Sequence, residues 1–226
     1  TEDLDEMKEL VRHLDHSYLA IQGPPGTGKT FRGAHIVHSL VAAGLRVGIT
    51  AMSHHAIDNF LDEVVKIMSE EGDLGALRVA RKVGKKRQAV PGITYVTDNG
   101  KCADPGFNVV AGTTWLFATD KMQGAPVDVL IIDEAGQLAL ADALAAMSSA
   151  HNVVLLGDPS QLAQVSKASH PNGSGASVLE HVLGDEPTIT DERGIFLSET
   201  RRMHPDVCEF ISSQIYEGKL CSHASC

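Results

Sequence analysis

Residues 23–30 read Gly-Pro-Pro-Gly-Thr-Gly-Lys-Thr and fit the spacing G-x-x-x-x-G-K-[ST], the pattern that most tightly constrains the chain around it. A loop of this composition wraps backbone N–H groups around a row of phosphates, and its glycines leave room for that approach. It requires a buried strand before it and a helix after it. Tyr18 to Gln22 (Tyr-Leu-Ala-Ile-Gln) predicts the strand, and Phe31 to Ala43, apolar at helical spacing, predicts the helix. Gly23, Pro24, Pro25, Gly26, Thr27 and Gly28 then form the cradle, Lys29 reaches the β- and γ-phosphates, and Thr30 holds Mg²⁺. Further on, Val127-Asp128-Val129-Leu130-Ile131-Ile132 leads into Asp133-Glu134. So apolar a run predicts a strand buried on both faces, which places the two carboxylates where a parallel sheet ends and ligands bind. Asp133 is the expected metal partner and Glu134 the group that orients or deprotonates a water. The pair of motifs implies ATP hydrolysis.

The length of 226 residues and the 43% hydrophobic content suit one sizeable α/β domain with a real core. No run of about eighteen apolar residues is present, and the acidic start Thr1-Glu2-Asp3 does not resemble a signal peptide, so a cytoplasmic protein without a membrane segment is expected. Cys102, Cys208, Cys221 and Cys226 are scattered without C-x-x-C spacing, which predicts free thiols rather than a zinc site or a disulfide framework. The histidines, including His54-His55, show no recurring metal-ligand spacing.

Net charge of −10 argues, taken alone, against a nucleic-acid partner, but its distribution matters more. Residues 78–87 read Arg-Val-Ala-Arg-Lys-Val-Gly-Lys-Lys-Arg, six basic residues in ten. A solvated basic turn and a phosphate-contacting patch both fit this stretch. With one Trp, three Tyr and six Phe there is no material for an extended stacking platform, so any grip on nucleic acid should be mainly to its backbone.

Strands alternate with helices along most of the chain, which predicts a parallel sheet covered on both faces. Arg46 to Ala51 reads as the second strand, and Ser53 as the cap of a helix from about His54 to Met68. The stretch 71–108, rich in Gly and charge and containing Pro91 and Pro105, interrupts the rhythm and reads as a partly flexible insertion on the ligand side of the sheet. Strands near Asn108 to Ala111, Val127 to Ile132 and Asn152 to Leu156 follow, with a helix near Leu138 to Met147. Ser166 to Ser177 reads as a loop and Val178 to Leu183 as a short helix.

Two later segments narrow the class. Val153-Val154-Leu155-Leu156-Gly157-Asp158-Pro159-Ser160-Gln161-Leu162 sets an amide just past another buried strand, and Leu197-Ser198-Glu199-Thr200-Arg201-Arg202-Met203-His204-Pro205 follows. The ordered set, from Tyr18 to Leu220, resembles superfamily 1 helicases of the branch that contains the nonsense-mediated-decay RNA helicases and the eukaryotic replication helicase-nuclease. It looks most like the helicase part of bacterial proteins in which a RecB-like nuclease domain precedes such a helicase. The resemblance implies a RecA-like P-loop fold, ATP and Mg²⁺ as cofactors, and single-stranded DNA or RNA as partner. It implies that Gln161 couples the γ-phosphate to the nucleic-acid groove and that Arg202 contacts the γ-phosphate. Ser160 and Ala163 depart from the family's usual Gly-Asp-Pro-Gln-Gln-Leu-Pro run. Arg201 stands where the family often has an adenine-stacking tyrosine, and a guanidinium can also stack. Ser53, His54 and Thr113 fall in segments that resemble nucleic-acid-contacting motifs, with His54 where Asn is frequent.

A complete helicase of this type has two RecA-like domains with ATP between them. The resemblance therefore implies a first motor domain over 1–226, with 195–226 as the candidate start of a second whose remainder, like a nuclease domain of the same parent, is not in the chain. Travel from 5′ to 3′ is implied by the branch alone. Two other classes remain open: a P-loop ATPase that remodels proteins, and a nucleic-acid-binding domain with weak catalysis. A guanine-nucleotide switch is disfavoured because no Asn-Lys-x-Asp stretch occurs.

Overall fold

The computed structural model describes residues 2–161 and 175–226. In chain order the elements are α1 (Leu4–Arg12), β1 (Tyr18–Gln22), α2 (Lys29–Ala42), β2 (Val47–Thr50), α3 (His54–Glu70), β3 (Val79–Lys82), β4 (Ile93–Val96), α4 (Asn99–Cys102), β5 (Val109–Ala111), α5 (Thr114–Phe117), α6 (Asp120–Gln123), β6 (Val127–Ile132), α7 (Leu140–Met147), β7 (Ala150–Gly157), α8 (Val178–Leu183), β8 (Gly194–Phe196), β9 (Glu199–Thr200), α9 (Pro205–Ile215) and β10 (Cys221–Ser222). Eight strands form one sheet in the order β4-β3-β5-β2-β6-β7-β1-β8. Every described pairing in it is parallel. All its carboxyl ends therefore open on one side.

The alternation of side chains splits the core into two layers. Ile131, Val154 and Leu156 point to the face covered by α1, α2 and α3, where Met7, Leu40, Phe60 and Val64 are buried. Leu130, Ile132, Val153 and Leu155 point to the opposite face, against Phe117, Met122, Ala143 and Leu179. Burial on both faces is why these strands read as continuous apolar runs instead of alternating ones. The helices sit where their caps predict: Ser53 Oγ accepts from Ala56 N at 3.0 Å at the start of α3. Ser177 and Glu180 form a reciprocal capping box at the start of α8. Part of the loop expected over 166–177 lies outside the described residues.

Two stretches differ from their sequence reading. Residues 71–108 are not set apart from the sheet: β3 pairs with β5, and β4 pairs with β3, at one edge. Their apolar residues are few and short, so the sequence gives them a weak strand signal. Inside this stretch Arg81 is fully buried on the α3 face. Its Nε donates to Asp58 Oδ1 at 2.7 Å, and its terminal nitrogens donate to Lys82 O at 2.7 Å and to His54 Nδ1 and His54 O at 3.2 Å. Arg87 pairs with the other Asp58 oxygen at 3.3 Å, and Arg78 Nε donates to Gly106 O at 2.8 Å. Lys82 is half-buried and its Nζ donates to Val83 O at 3.4 Å, so four of the six basic residues are engaged in structure, while Lys85 and Lys86 are exposed.

The stretch 195–226 is tied to the same body. β8 extends the sheet beside β1, and β9 pairs with β10 in a separate two-stranded ribbon. Cys208, Tyr216 and Leu220 form a small apolar cluster, joined by Phe196 of the sheet.

Candidate active site

The phosphate loop spans the end of β1 and the start of α2. Gly23 N donates to Gly157 O at 2.8 Å, tying the loop to the end of β7. Pro24 O accepts from Thr27 Oγ1 at 2.8 Å, which closes the turn. Gly26 and Gly28 have φ of +83° and +76°, a left-handed backbone that glycine adopts without steric cost. Gly26 has a second reason to lack a side chain, since a Cβ there would lie 2.5 Å from Arg202 Cβ and 2.6 Å from Thr200 Oγ1. The omission lets 199–202 lie on the loop: Thr200 Oγ1 donates to Pro25 O at 2.7 Å, and Arg201 N donates to Gly26 O at 3.0 Å.

Lys29 and Thr30 begin α2, so they stand at a helix N-terminus, where backbone N–H groups and the helix dipole favour anions. Lys29 Nζ donates to Gly23 O and, at 3.3 Å, to Pro24 O. Burial lowers its pKa, and the nearby Asp158, Asp133 and Glu134 oppose that shift. Asp133 directly follows the strand β6 and is only 7% exposed. Burial pushes its carboxyl up to about 6, against the backbone N–H of Glu134, which donates to Oδ1 at 3.0 Å. A nearly buried carboxylate whose charge is disfavoured, lining the same cavity as Thr30, fits a divalent cation. Glu134 has φ of +56°, a conformation that costs a non-glycine residue roughly 1–2 kcal/mol. The turn is held by Ala135 N donating to Leu156 O at 2.8 Å and Gln137 N donating to Glu134 O at 2.8 Å.

The loops after β6 and β7 touch backbone to backbone. A Cβ on Gly136 would lie 2.3 Å from Asp158 O, and one on Gly157 would lie 2.6 Å from Gly136 N. Gln161 lines the same cavity as Asp133 and Glu134. Asp158, to which the sequence reading gave no role, is 3% exposed and organises the corner. It accepts from Tyr216 Oη at 2.7 Å, Gln161 Nε2 at 3.4 Å and Ser160 N at 3.2 Å. Burial, reinforced by the bond to Asp158, raises the pKa of the Tyr216 phenol. Asp158 follows an apolar run as Asp133 does, which was its available signal.

A cavity of about 580 Å³ unites these groups. Pro25, Gly26, Gly28, Lys29, Thr30, Asp133, Glu134, Gln161, Arg201 and Arg202 all line it. Arg201 also borders an adjoining hollow with Leu4, Phe31 and Arg32. Gly23, Pro24 and Thr27 support the loop from below, and all three are buried. Ser53, His54 and Thr113 do not line this cavity. They sit at the carboxyl ends of β2 and β5 on the same side of the sheet, Ser53 and His54 exposed and Thr113 half-buried. Thr113 caps α5 by position without a side-chain bond to the helix. Because a guanidinium only donates, the contact from Arg81 makes His54 Nδ1 an acceptor.

Among the described residues no helix is long and apolar enough to cross a membrane, and no group of three or more His, Cys, Asp or Glu could hold a metal. All four cysteines are free.

Residues 5–172 match the family model described as an AAA domain. The chain is 29% identical over 226 residues to the DNA replication ATP-dependent helicase/nuclease JHS1 of Arabidopsis thaliana, covering 96% of this chain and 16% of that protein. It is 30% identical over 210 residues to the DNA replication ATP-dependent helicase/nuclease DNA2 of Saccharomyces cerevisiae, covering 90% of this chain and 13% of that protein. The chain thus spans less than a fifth of either relative. Its fold is similar to that of the Arterivirus nonstructural protein 10 (helicase) in complex with DNA, with a TM-score of 0.54 at 19% identity over 91% of this chain and 41% of that one. The parallel sheet, the phosphate loop and the family match together show that the chain belongs to the AAA-domain family, with the RecA-like core of a P-loop ATPase.

Proposed function

We propose that the chain is the ATP-hydrolysing motor domain of a superfamily 1 helicase that moves on single-stranded DNA or RNA. The observation that carries this reading is the convergence of Lys29, Thr30, Asp133, Glu134, Gln161 and Arg202 on one cavity at the carboxyl ends of the sheet. The P-loop amides and Lys29 bind and orient the β- and γ-phosphates. Mg²⁺, held by Thr30 and Asp133, neutralises phosphate charge when bound. Glu134 takes the proton of the attacking water, Gln161 orients that water, and Arg202 meets the charge developing on the γ-phosphoryl group. Arg201, which lines both the cavity and the hollow beside Phe31, stacks on the base in this reading.

Because Gln161 shares Asp158 with Tyr216, a change at the γ-phosphate reaches the 205–222 segment through two hydrogen bonds. In this reading 1–226 is the first motor domain and the cavity is closed by a second RecA-like domain of the parent, which supplies a further arginine. Absence of such a finger lowers the rate by about 10³ to 10⁵, so the chain alone binds Mg-ATP and turns it over slowly. Ser53, His54 and Thr113 hold the strand, and its travel is 5′ to 3′. The parent belongs to the branch of the replication helicase-nuclease and the nonsense-mediated-decay helicases, carries a RecB-like nuclease domain, and works in the cytoplasm.

The test is ATP hydrolysis by a protein extended through the second motor domain, with and without single-stranded DNA or RNA, beside its Glu134→Gln variant. Strand-dependent turnover that disappears in the variant is expected. Turnover indifferent to nucleic acid would refute the helicase reading and favour an ATPase that remodels proteins.

A further inference from the structure

Trp115 is the only tryptophan in the chain. At 82% it is the most exposed large apolar side chain among the described residues. Its neighbours Leu116 and Phe117 are buried in the core layer beneath, so α5 is anchored while Trp115 is held outward. An indole face left in water on a rigid support has apolar area to gain from a flat partner.

Its surroundings point to what that partner is. The turn before α5 is wedged between two neighbouring strand ends. Gly112 N donates to Ile49 O of β2 at 3.1 Å, and a Cβ on Gly112 would lie 3.3 Å from Lys82 Cβ of β3 and 2.6 Å from Leu116 Cδ2. The turn that leads to Trp115 therefore stands in a row at the carboxyl edge, while α5 itself packs against α7. The end of β3, with Lys82 followed by the exposed Lys85 and Lys86, lies on one side. Ser53 and His54, at the start of α3, lie on the other, joined to β3 by Arg81. Asp58, on α3 beside this junction, is paired with Arg81 and Arg87. In a chain of net charge −10, a basic and hydroxyl-bearing row with one bare indole in it matches a polyanion that carries unstacked rings.

We propose that Trp115 stacks on a base of a single-stranded nucleic acid whose phosphates run past Lys82, Lys85 and Lys86. This inference rests on the single-strand reading above and adds a contact to the base where that reading has contacts to the backbone only. Stacking on an indole tolerates any base, because every base presents a π-face. It also discriminates against duplex, whose bases are already stacked. One such residue suffices for a grip at a single position, and the scarcity of aromatics elsewhere in the chain is no obstacle to it.

The test uses the chain with labelled oligo-dT. Binding is followed by the anisotropy of the label and, separately, by the intrinsic fluorescence, which in this protein reports Trp115 alone. Quenching that saturates together with the anisotropy is expected. Trp115→Ala should weaken oligo-dT binding roughly 5- to 150-fold, and Trp115→Phe should retain most of it. A strand of the same length without bases should bind wild type and Trp115→Ala equally. Binding of oligo-dT with unchanged tryptophan fluorescence, or equal affinity of Trp115→Ala, overturns the proposal while leaving the helicase reading intact. Failure of oligo-dT and oligo-U to bind at all overturns both.

Discussion

Asn in place of Asp133 should make the nucleotide-free protein more stable while removing its proposed metal ligand. The carboxyl, ordinarily near 3.8, is pushed up to about 6 by burial. At about 1.4 kcal/mol for each pH unit, keeping it ionised at pH 7 costs the folded state about 3 kcal/mol. The sign follows from proton binding. Between pH 4 and 6 the folded state holds a proton at Asp133 that the unfolded chain has released, so this group's contribution becomes less favourable as pH rises through that window and is level above it. Asn keeps an acceptor for Glu134 N and carries no charge. Urea unfolding without nucleotide or magnesium at pH 7 should show Asp133→Asn more stable by roughly 1–3 kcal/mol, the lower values reflecting relaxation around the charge. The gain should vanish near pH 4, where the wild-type carboxyl is neutral. Magnesium and nucleotide should reverse the order at pH 7 by stabilising the wild type more than the variant. A variant less stable than wild type at pH 7, or a difference that does not change with pH, would refute the argument that burial without a cation destabilises this carboxylate.

Other substitutions separate binding, chemistry and architecture. Lys29→Ala should abolish measurable nucleotide binding in calorimetry. Glu134→Gln should bind nucleotide within a few-fold of wild type, and lower kcat by roughly 10² to 10⁴ if Glu134 is the general base. Gly136→Ala places a Cβ 2.3 Å from Asp158 O, so the loops after β6 and β7 must part; thermal unfolding should show a loss of roughly 1–3 kcal/mol, with kcat falling more than nucleotide affinity. Arg81→Ala leaves Asp58 without its 2.7 Å partner and empties a fully buried position; a loss of roughly 2–4 kcal/mol is expected in urea unfolding.

The local signals were strong wherever one short segment had to satisfy a stringent demand. The phosphate loop, its strand and its helix were legible because only one spacing of glycines, lysine and threonine serves that geometry. The same holds for β6 and β7, whose apolar runs are too long for any exposed strand. Residues 71–108 failed this test for a physical reason: β3 and β4 have four residues each, and β3 ends in Arg81-Lys82. A buried arginine reads as a surface residue until its partner is known, and Asp58 lies 23 positions away on α3.

What the sequence by itself determined is the set of candidates: a phosphate loop, a proposed metal carboxylate, a proposed base and the proposed sensors, because these assignments depend on residue type and on neighbours close in the chain. Tertiary structure alone decided how they meet. Gly136 and Gly157 are unremarkable in the sequence, yet their missing side chains let two loops touch, and Gln161 and Glu134 line one cavity there. Asp158 became a hub only when Tyr216, 58 residues later, donated to it. Arg202 reached the loop because Gly26 leaves space beneath it. Such contacts join residues far apart in the chain through the exclusion of single atoms, and no periodicity or spacing records them. They follow from packing the sheet's carboxyl ends against one another.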